Sequence, residues 1–216
     1  MQANEAIVVV GAERFSEYSG YGHSFKFAGA YCDTTPTAQI LGAHVLDRTI
    51  IAVDALNLHR RRLDQWNLRS LERELTKATV GFSFDSGKNN QNTSVATGNW
   101  GCGAFGGDVV LKACLQWIAC SLAGQSMQYF TFGCDEVQQF RRIVEVAMQC
   151  ELRVFELWRI LQLFEPSYGE SFCDNVIRLA RQQLAERSNA SESGDSIASS
   201  GSNFGPNEDL DLEDEM

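Results

Sequence analysis

No stretch of this sequence approaches the roughly 18–20 consecutive apolar residues that a membrane-spanning helix needs. The opening MQANEAIVVVGAERF has no basic residues ahead of its apolar run, and a glycine and charges follow at once, so it lacks the marks of a secretory signal. No two of the seven cysteines (Cys32, Cys102, Cys114, Cys120, Cys134, Cys150 and Cys173) form a CxxC pair. An odd, scattered set argues against a disulfide framework and a structural zinc site, and for a reducing compartment. His23, His44 and His59 stand apart, and no His/Asp/Cys cluster has ligand spacing, so neither a metal nor a redox cofactor is expected. Basic residues are missing altogether from Ser188 to Met216.

That last absence locates the net charge of −10. Glu192, Asp195, Glu208, Asp209, Asp211, Glu213, Asp214 and Glu215 account for most of it, which leaves residues 1–187 with about −2. The charge balance therefore says little about what the folded part binds. Residues 188–216 are rich in Ser, Gly, Asn and acid and poor in large apolar side chains. Such a segment buries too little apolar surface to offset its ordering entropy, and a disordered acidic tail is expected there.

The other 187 residues alternate strand-like and helix-like segments. Ala6–Gly11 (AIVVVG) and Thr49–Ala55 (TIIAVDA) read as buried strands, and His59–Ala78 as one or two amphipathic helices. Ser94–Thr97 reads as a third strand running into a glycine-rich turn, Gly98–Gly107. Asp108 is placed to cap a helix through Leu111, Leu115, Ile118 and Leu122, with Gly124 as its stop. Cys114 and Cys120 on that apolar helix read as small hydrophobes. Gln128–Phe132 (QYFTF) reads as a fourth strand, and 135–164 as two helices. Alternation of this kind points to an α/β layered sheet.

The segment with chemical content is Thr97–Asp108, TGNWGCGAFGGD. Five glycines between Gly98 and Gly107 let the backbone approach a ligand closely. Consecutive N–H groups at the start of a helix form an anion site suited to a diphosphate. Gly101–Gly106 also fits GxGxxG, but it comes after two earlier strands, and the acid that a Rossmann site needs about 20 residues on is missing. Cys102 is no phosphatase nucleophile, because the loop offers no Arg or Lys before Lys112.

TGNWGCGAFGGD followed by LKA, and then YFTFG, closely resembles the poly(ADP-ribose) glycohydrolases. FSEYSGYGHSF at Phe15–Phe25, IIAVDAL at Ile50–Leu56 and RELTKATVGF at Arg73–Phe82 resemble other segments of that family in the same order. The likeness runs from about Ile7 to Gly133 and, more weakly, to about Leu184. It implies a macrodomain-like mixed sheet between helical layers, with the first part of that domain missing. It also implies that Asn99, Trp100, Gly101, Cys102, Gly103, Ala104 and Phe105 wrap the diphosphate and distal ribose of ADP-ribose, and that Tyr21 and Phe132 flank the adenine. An aromatic face suits a flat base, contributing roughly 1–3 kcal/mol by analogy with nucleic-acid stacking. An ordinary core position is the competing reading of Phe132, and packing is the better reading of Tyr18. The implied partners are poly(ADP-ribose) or ADP-ribose and, through them, ADP-ribosylated proteins, with no direct nucleic-acid reading. The implied location is nucleus or cytoplasm.

The family's reaction is hydrolysis of the ribose–ribose bond, which needs a positioned carboxylic acid. In the family that acid follows a triple glycine, in Gln-Glu-Glu. The 216 residues contain neither GGG nor QEE. Glu13 and Glu17 read as solvated surface charges. The signature precedes the strand that matches Ala6–Gly11 in the family, and only six residues precede Ile7 here. The expectation is a catalytic segment absent from this chain, so that no catalytic residue is assigned within it. The alternative is a module that binds ADP-ribose or its polymer without cutting.

Overall fold

The computed structural model describes residues 1–20, 22–84, 94–166 and 171–192, together with the backbone of Leu212–Glu213. The first expected strand is β1 (Ile7–Val10). Two antiparallel hairpins follow, β2 (Ser16–Ser19) with β3 (Lys26–Ala30) and β4 (Thr37–Ile40) with β5 (Ala43–Leu46), and then β6 (Thr49–Ala52) returns antiparallel to β1. The sequence reading anticipated β1 and β6 but neither hairpin. The turn between β4 and β5 shows why: Leu41 and Gly42 both take positive φ, at 50° and 81°, and a leucine there replaces the Asn or Asp that normally announces such a turn. Arg48 ties this region together, donating to Ala12 O at 3.0 Å and to both carboxylate oxygens of Asp33. The Arg48 hydrogen bond holds the Asp33 carboxyl well below the usual range.

A 3-10 turn (Arg62–Trp66) leads into α1 (Leu68–Phe82), whose N-cap Asn67 accepts from Ser70 N at 2.8 Å. Leu71, Ala78 and Phe82 recur at helical spacing and are buried. Gly81 lets β6 settle on this helix: a Cβ there would come within 2.9 Å of Val53 and 3.0 Å of Ile51. Next come β7 (Ser94–Thr97), α2 (Val109–Leu122) and β8 (Ser126–Phe130), a parallel pair with its crossover helix. Every residue of α2 from Val109 to Cys120 is buried, so the helix has no solvent face until its last two residues. It packs against α1, α3 (Val137–Gln149) and α4 (Val154–Gln162), while α5 (Phe172–Glu192) closes over α3. Trp117 meets Phe140 edge-on at 6.0 Å, with Tyr129 beyond at 5.9 Å. Leu111, Leu115 and Ile118 are each 1% exposed, and full burial of such a side chain stabilises by about 1.5–3 kcal/mol. Cys114 and Cys120 lie in this core as free thiols, and burial pushes the latter up to about 12.

The architecture is α/β, as the sequence implies, but the described strands form four small sheets, of which the largest joins β7, β8 and a two-residue β9 (Leu212–Glu213). The ribbon β1–β6 packs one face on α1. Its other face, with Ile7 and the directly opposed pair Val9 and Ile50, is exposed. The expected tail boundary also moves. Helix α5 runs to Glu192, five residues past the expected end of the folded part, because extending an existing helix fixes only one residue per added bond. Ser188 Oγ bonds back to Leu184 O at 3.0 Å within it. β9 (Leu212–Glu213) pairs parallel with β8 at Tyr129 and Phe130. The rest of the expected tail lies outside the described residues.

A row of charges fastens the first residues to α1. The fully buried Lys77 donates to Glu5 O at 2.6 Å and to Gln2 O, and pairs with Asp54 Oδ1 at 2.9 Å. Arg73 grips the same carboxylate at 2.5 Å. The Lys77 contact lowers the Asp54 carboxyl from 3.8 to about 2, against the opposing effect of burial. A depressed folded value means the contribution is present above the unfolded pKa and is lost as pH falls through the folded one. Acid titration followed by circular dichroism is expected to lose stability between about pH 4 and 2. Asp54→Asn is expected to flatten that slope in part, since Asp33 contributes in the same direction.

Candidate functional site

Where β7 ends at Thr97, the chain folds back over the carboxyl ends of the parallel strands, the usual place for a ligand in an open α/β sheet. The loop is shaped by its own backbone: Trp100 N donates to Gly98 O at 2.7 Å, Cys102 N to Asn99 O at 3.0 Å, and Gly107 N to Gly101 O at 3.0 Å. Gly101 has φ +76°, and a Cβ on it would come 2.6 Å from the Ala55 Cβ, so no other residue fits without strain. Asp108 caps α2 by accepting from Leu111 N at 2.8 Å, as the sequence implies, while its own N–H donates to Gln65 Oε1 at 2.7 Å. Burial raises the Asp108 carboxyl above its ordinary value.

A cleft of about 850 Å³ opens above this loop. Of the residues expected to touch ligand, Asn99, Trp100, Gly101, Gly103, Ala104, Phe105 and Phe132 line it. Cys102 does not. Its Sγ turns to Trp100 O at 3.5 Å, and burial, with the Asp108 charge behind it, pushes the thiol up to about 12. That value suits an inert thiol, in agreement with the sequence reading. Tyr21 lies outside the described residues. Its neighbour Tyr18 is exposed and stacked on Phe25 at 5.1 Å. Thr97 and Gly98 of the glycine-rich segment also line the cleft, as do Ala96 and Phe130, to which the sequence reading gave no ligand role.

Two expected ligand residues have side chains already engaged. Asn99 donates to Thr131 O at 3.0 Å and accepts from the Tyr129 hydroxyl at 2.9 Å, which stitches the loop to the end of β8. Trp100 donates from its indole to Val53 O at 3.2 Å. Of the two, only Asn99 keeps a backbone N–H without an acceptor among the described residues, since that of Trp100 is held by Gly98 O. Among the described residues, the N–H groups of Asn99, Gly101, Gly103, Ala104 and Phe105 have no protein acceptor, and all five residues line the cleft. Unpaired backbone donors in a glycine-rich loop are what a backbone anion site requires.

Two aromatic rings line the same cleft. Phe105 is 40% exposed and Phe132 is 68% exposed. The exposure rules out the core reading of Phe132. It lies two residues past β8 with φ +52°, a conformation that costs a bulky residue about 1 kcal/mol or more. Its ring rests on Gly98, where a Cβ would come 2.6 Å from Phe132 Cε2. A strained backbone that holds an apolar ring out in a cleft is a feature of binding sites rather than of cores.

The chain matches a family model described as Poly (ADP-ribose) glycohydrolase (PARG), Macro domain fold, over residues 1–139. The chain belongs to the poly(ADP-ribose) glycohydrolase family. It is 35% identical over 199 residues to a probable poly(ADP-ribose) glycohydrolase 2 of Arabidopsis thaliana, covering 74% of this chain and 37% of that protein. It is 34% identical over 171 residues to poly(ADP-ribose) glycohydrolase 1 of Caenorhabditis elegans, covering 74% of this chain and 22% of the other. The chain thus spans well under half the length of these curated relatives. Among the described residues, no group of three His, Cys, Asp or Glu side chains is arranged to hold a metal, and no helix is long and apolar enough to cross a membrane.

The two central glycines of the family loop make opposite demands. Gly101→Ala meets both a forbidden φ and Ala55, and is expected to cost about 2–4 kcal/mol in urea unfolding. A Cβ on Gly103 meets nothing within 4 Å, so Gly103→Ala is expected to change stability by under about 0.5 kcal/mol. Equal costs at the two positions would contradict this description of the loop.

Proposed function

We propose that this chain forms the adenine- and diphosphate-binding part of a poly(ADP-ribose) glycohydrolase. In the complete enzyme it would present the ADP-ribose units of poly(ADP-ribose) for hydrolysis of their ribose–ribose bonds. The observation that carries the reading is the cleft, whose lining joins the exposed rings of Phe105 and Phe132 to five residues whose backbone N–H groups have no protein acceptor among the described residues. Two phosphates need several donors and tolerate no crowding side chain, and the glycines meet both needs. A purine needs a ring face, which Phe132 offers. The hydrolytic step needs a carboxylic acid poised at the bond, and the 216 residues lack the GGG and QEE of the family signature. Binding and cutting are thus assigned to different segments, and the chain as it stands is a binder of ADP-ribose.

Calorimetric titration of the 216-residue chain with ADP-ribose is expected to give saturable heat, and incubation with poly(ADP-ribose) to release no ADP-ribose. Phe132→Ala is expected to weaken ADP-ribose roughly tenfold through loss of stacking. Gly103→Ala is expected to weaken it comparably by placing a methyl where the diphosphate lies. Silence towards ADP-ribose from protein that unfolds cooperatively would sink the binding reading. Release of ADP-ribose from the polymer would sink the separation of binding from cutting.

A further inference from the structure

The glycine-rich loop has a charged floor. A Cβ on Gly101 would meet Lys112 Nζ at 3.2 Å, and one on Gly107 would meet Lys112 Cε at 3.2 Å, so this side chain runs directly under both glycines. Lys112 is 1% exposed, and its Nζ lies 3.9 Å from the centre of the Trp100 ring. Its ion-pair partner is Glu74 of α1, itself 3% exposed. Glu74 also accepts from Leu56 N at 3.2 Å and from Arg73, and Arg73 in turn grips Asp54, which holds Lys77.

Taking an ammonium and a carboxylate out of water is costly, and an apolar pair of similar volume commonly serves stability as well. A buried pair therefore needs a reason beyond packing. The row Lys112, Glu74, Arg73, Asp54 and Lys77 holds three cations and two anions. With Lys112 protonated, one positive charge is left over in the row. Burial and then the Arg73 charge lower the Lys112 ammonium from 10.5 to about 7, so an anion bound nearby would favour its charged form. The loop above it, Gly98–Gly107, carries no Lys or Arg of its own. Inside the protein that surplus charge is screened far less than at the surface.

We propose that Lys112 is a positioning residue for the ligand's diphosphate. Its ammonium, fixed under Gly101 and Trp100 by Glu74, supplies from below the positive charge that the loop's backbone donors lack. The inference rests on the reading of the cleft as a diphosphate site and adds the residue that makes it electropositive. Glu74 sets the position of the charge, and Arg73 and Asp54 keep Glu74 in place.

The test compares the full chain with Lys112→Met, an uncharged side chain of similar length, against ADP-ribose and against adenosine, which lacks the diphosphate. The variant is expected to lose at least about tenfold in ADP-ribose affinity and less than about twofold in adenosine affinity. Its ADP-ribose affinity should also depend less on salt. Equal losses for both ligands would mark a structural prop and overturn the proposal, as would an unchanged ADP-ribose affinity. Silence of the wild-type chain towards ADP-ribose would overturn the diphosphate reading and this inference with it, so the two failures are distinguishable. Should Lys112→Met fail to fold, wild-type protein labelled at lysine Cε is titrated with pyrophosphate and with adenosine by NMR. A saturable shift of the Lys112 resonance with pyrophosphate alone is expected, and none at saturating pyrophosphate overturns the proposal.

Discussion

A helix with no solvent side constrains everything around it. From Val109 to Cys120 α2 is buried on all faces, so each polar group it carries must be satisfied by its neighbours. Of the polar side chains it carries, Lys112 and Gln116 point their chemistry at the glycine-rich loop. Gln116 donates to Gly98 O at 3.1 Å and accepts from the Thr97 hydroxyl at 2.5 Å. Lys112 supports Gly101 and Gly107. The loop is held from beneath by the groups that the helix cannot leave unpaired, and from the side by Asn99 on the end of β8. Rigid support of this kind spares the ligand the cost of ordering the loop.

Much of this was legible along the chain because it depends on local signals. Ser94–Thr97 is the strand that the sequence implies, Asp108 caps the helix it was expected to cap, and Gly124 follows α2 with φ +66°. Where the reading slipped, a backbone angle or a distant partner was decisive. QYFTF reads as one unbroken strand through Phe132, yet β8 ends at Phe130 because Phe132 takes positive φ to reach over Gly98. Propensity cannot reveal that, since the cause is a contact 34 residues away in the chain. The same limit hid the floor of the site. Lys112 and Glu74 are residue types found on surfaces, and only the docking of α1 on α2 buries them together.

Asn99 and Trp100 carry a second lesson about site residues. A family motif names positions, and a position contributes through side chain, backbone or support. Here both side chains are spent within the protein, and the Trp100 N–H is also held, by Gly98 O. The motif is therefore more demanding than a donor count requires. Asn99 must reach Thr131 and Tyr129, Trp100 must reach Val53 and cover Lys112, and Gly98 must leave room for the Phe132 ring. Several residues of the segment hold the loop, and the glycines keep it open.

The exposed face of β1 and β6 lies apart from this machinery. Ile7, Val9 and Ile50 present β-branched surface to solvent, and in the described residues no strand joins that ribbon to β7 and β8. Exposed apolar strand surface of this sort is where a sheet extends or a further layer settles. The cleft draws instead on β7, the loop, α2 and the end of β8, all backed by the main core of α1 to α5. It is linked to the ribbon through Val53, Asp54 and Leu56, which follow β6 and are tied to Trp100, Arg73 and Glu74. Covering the ribbon would steady that link without supplying any cleft residue named here. The residues that line the cleft are thus held by contacts that do not involve the ribbon's exposed face.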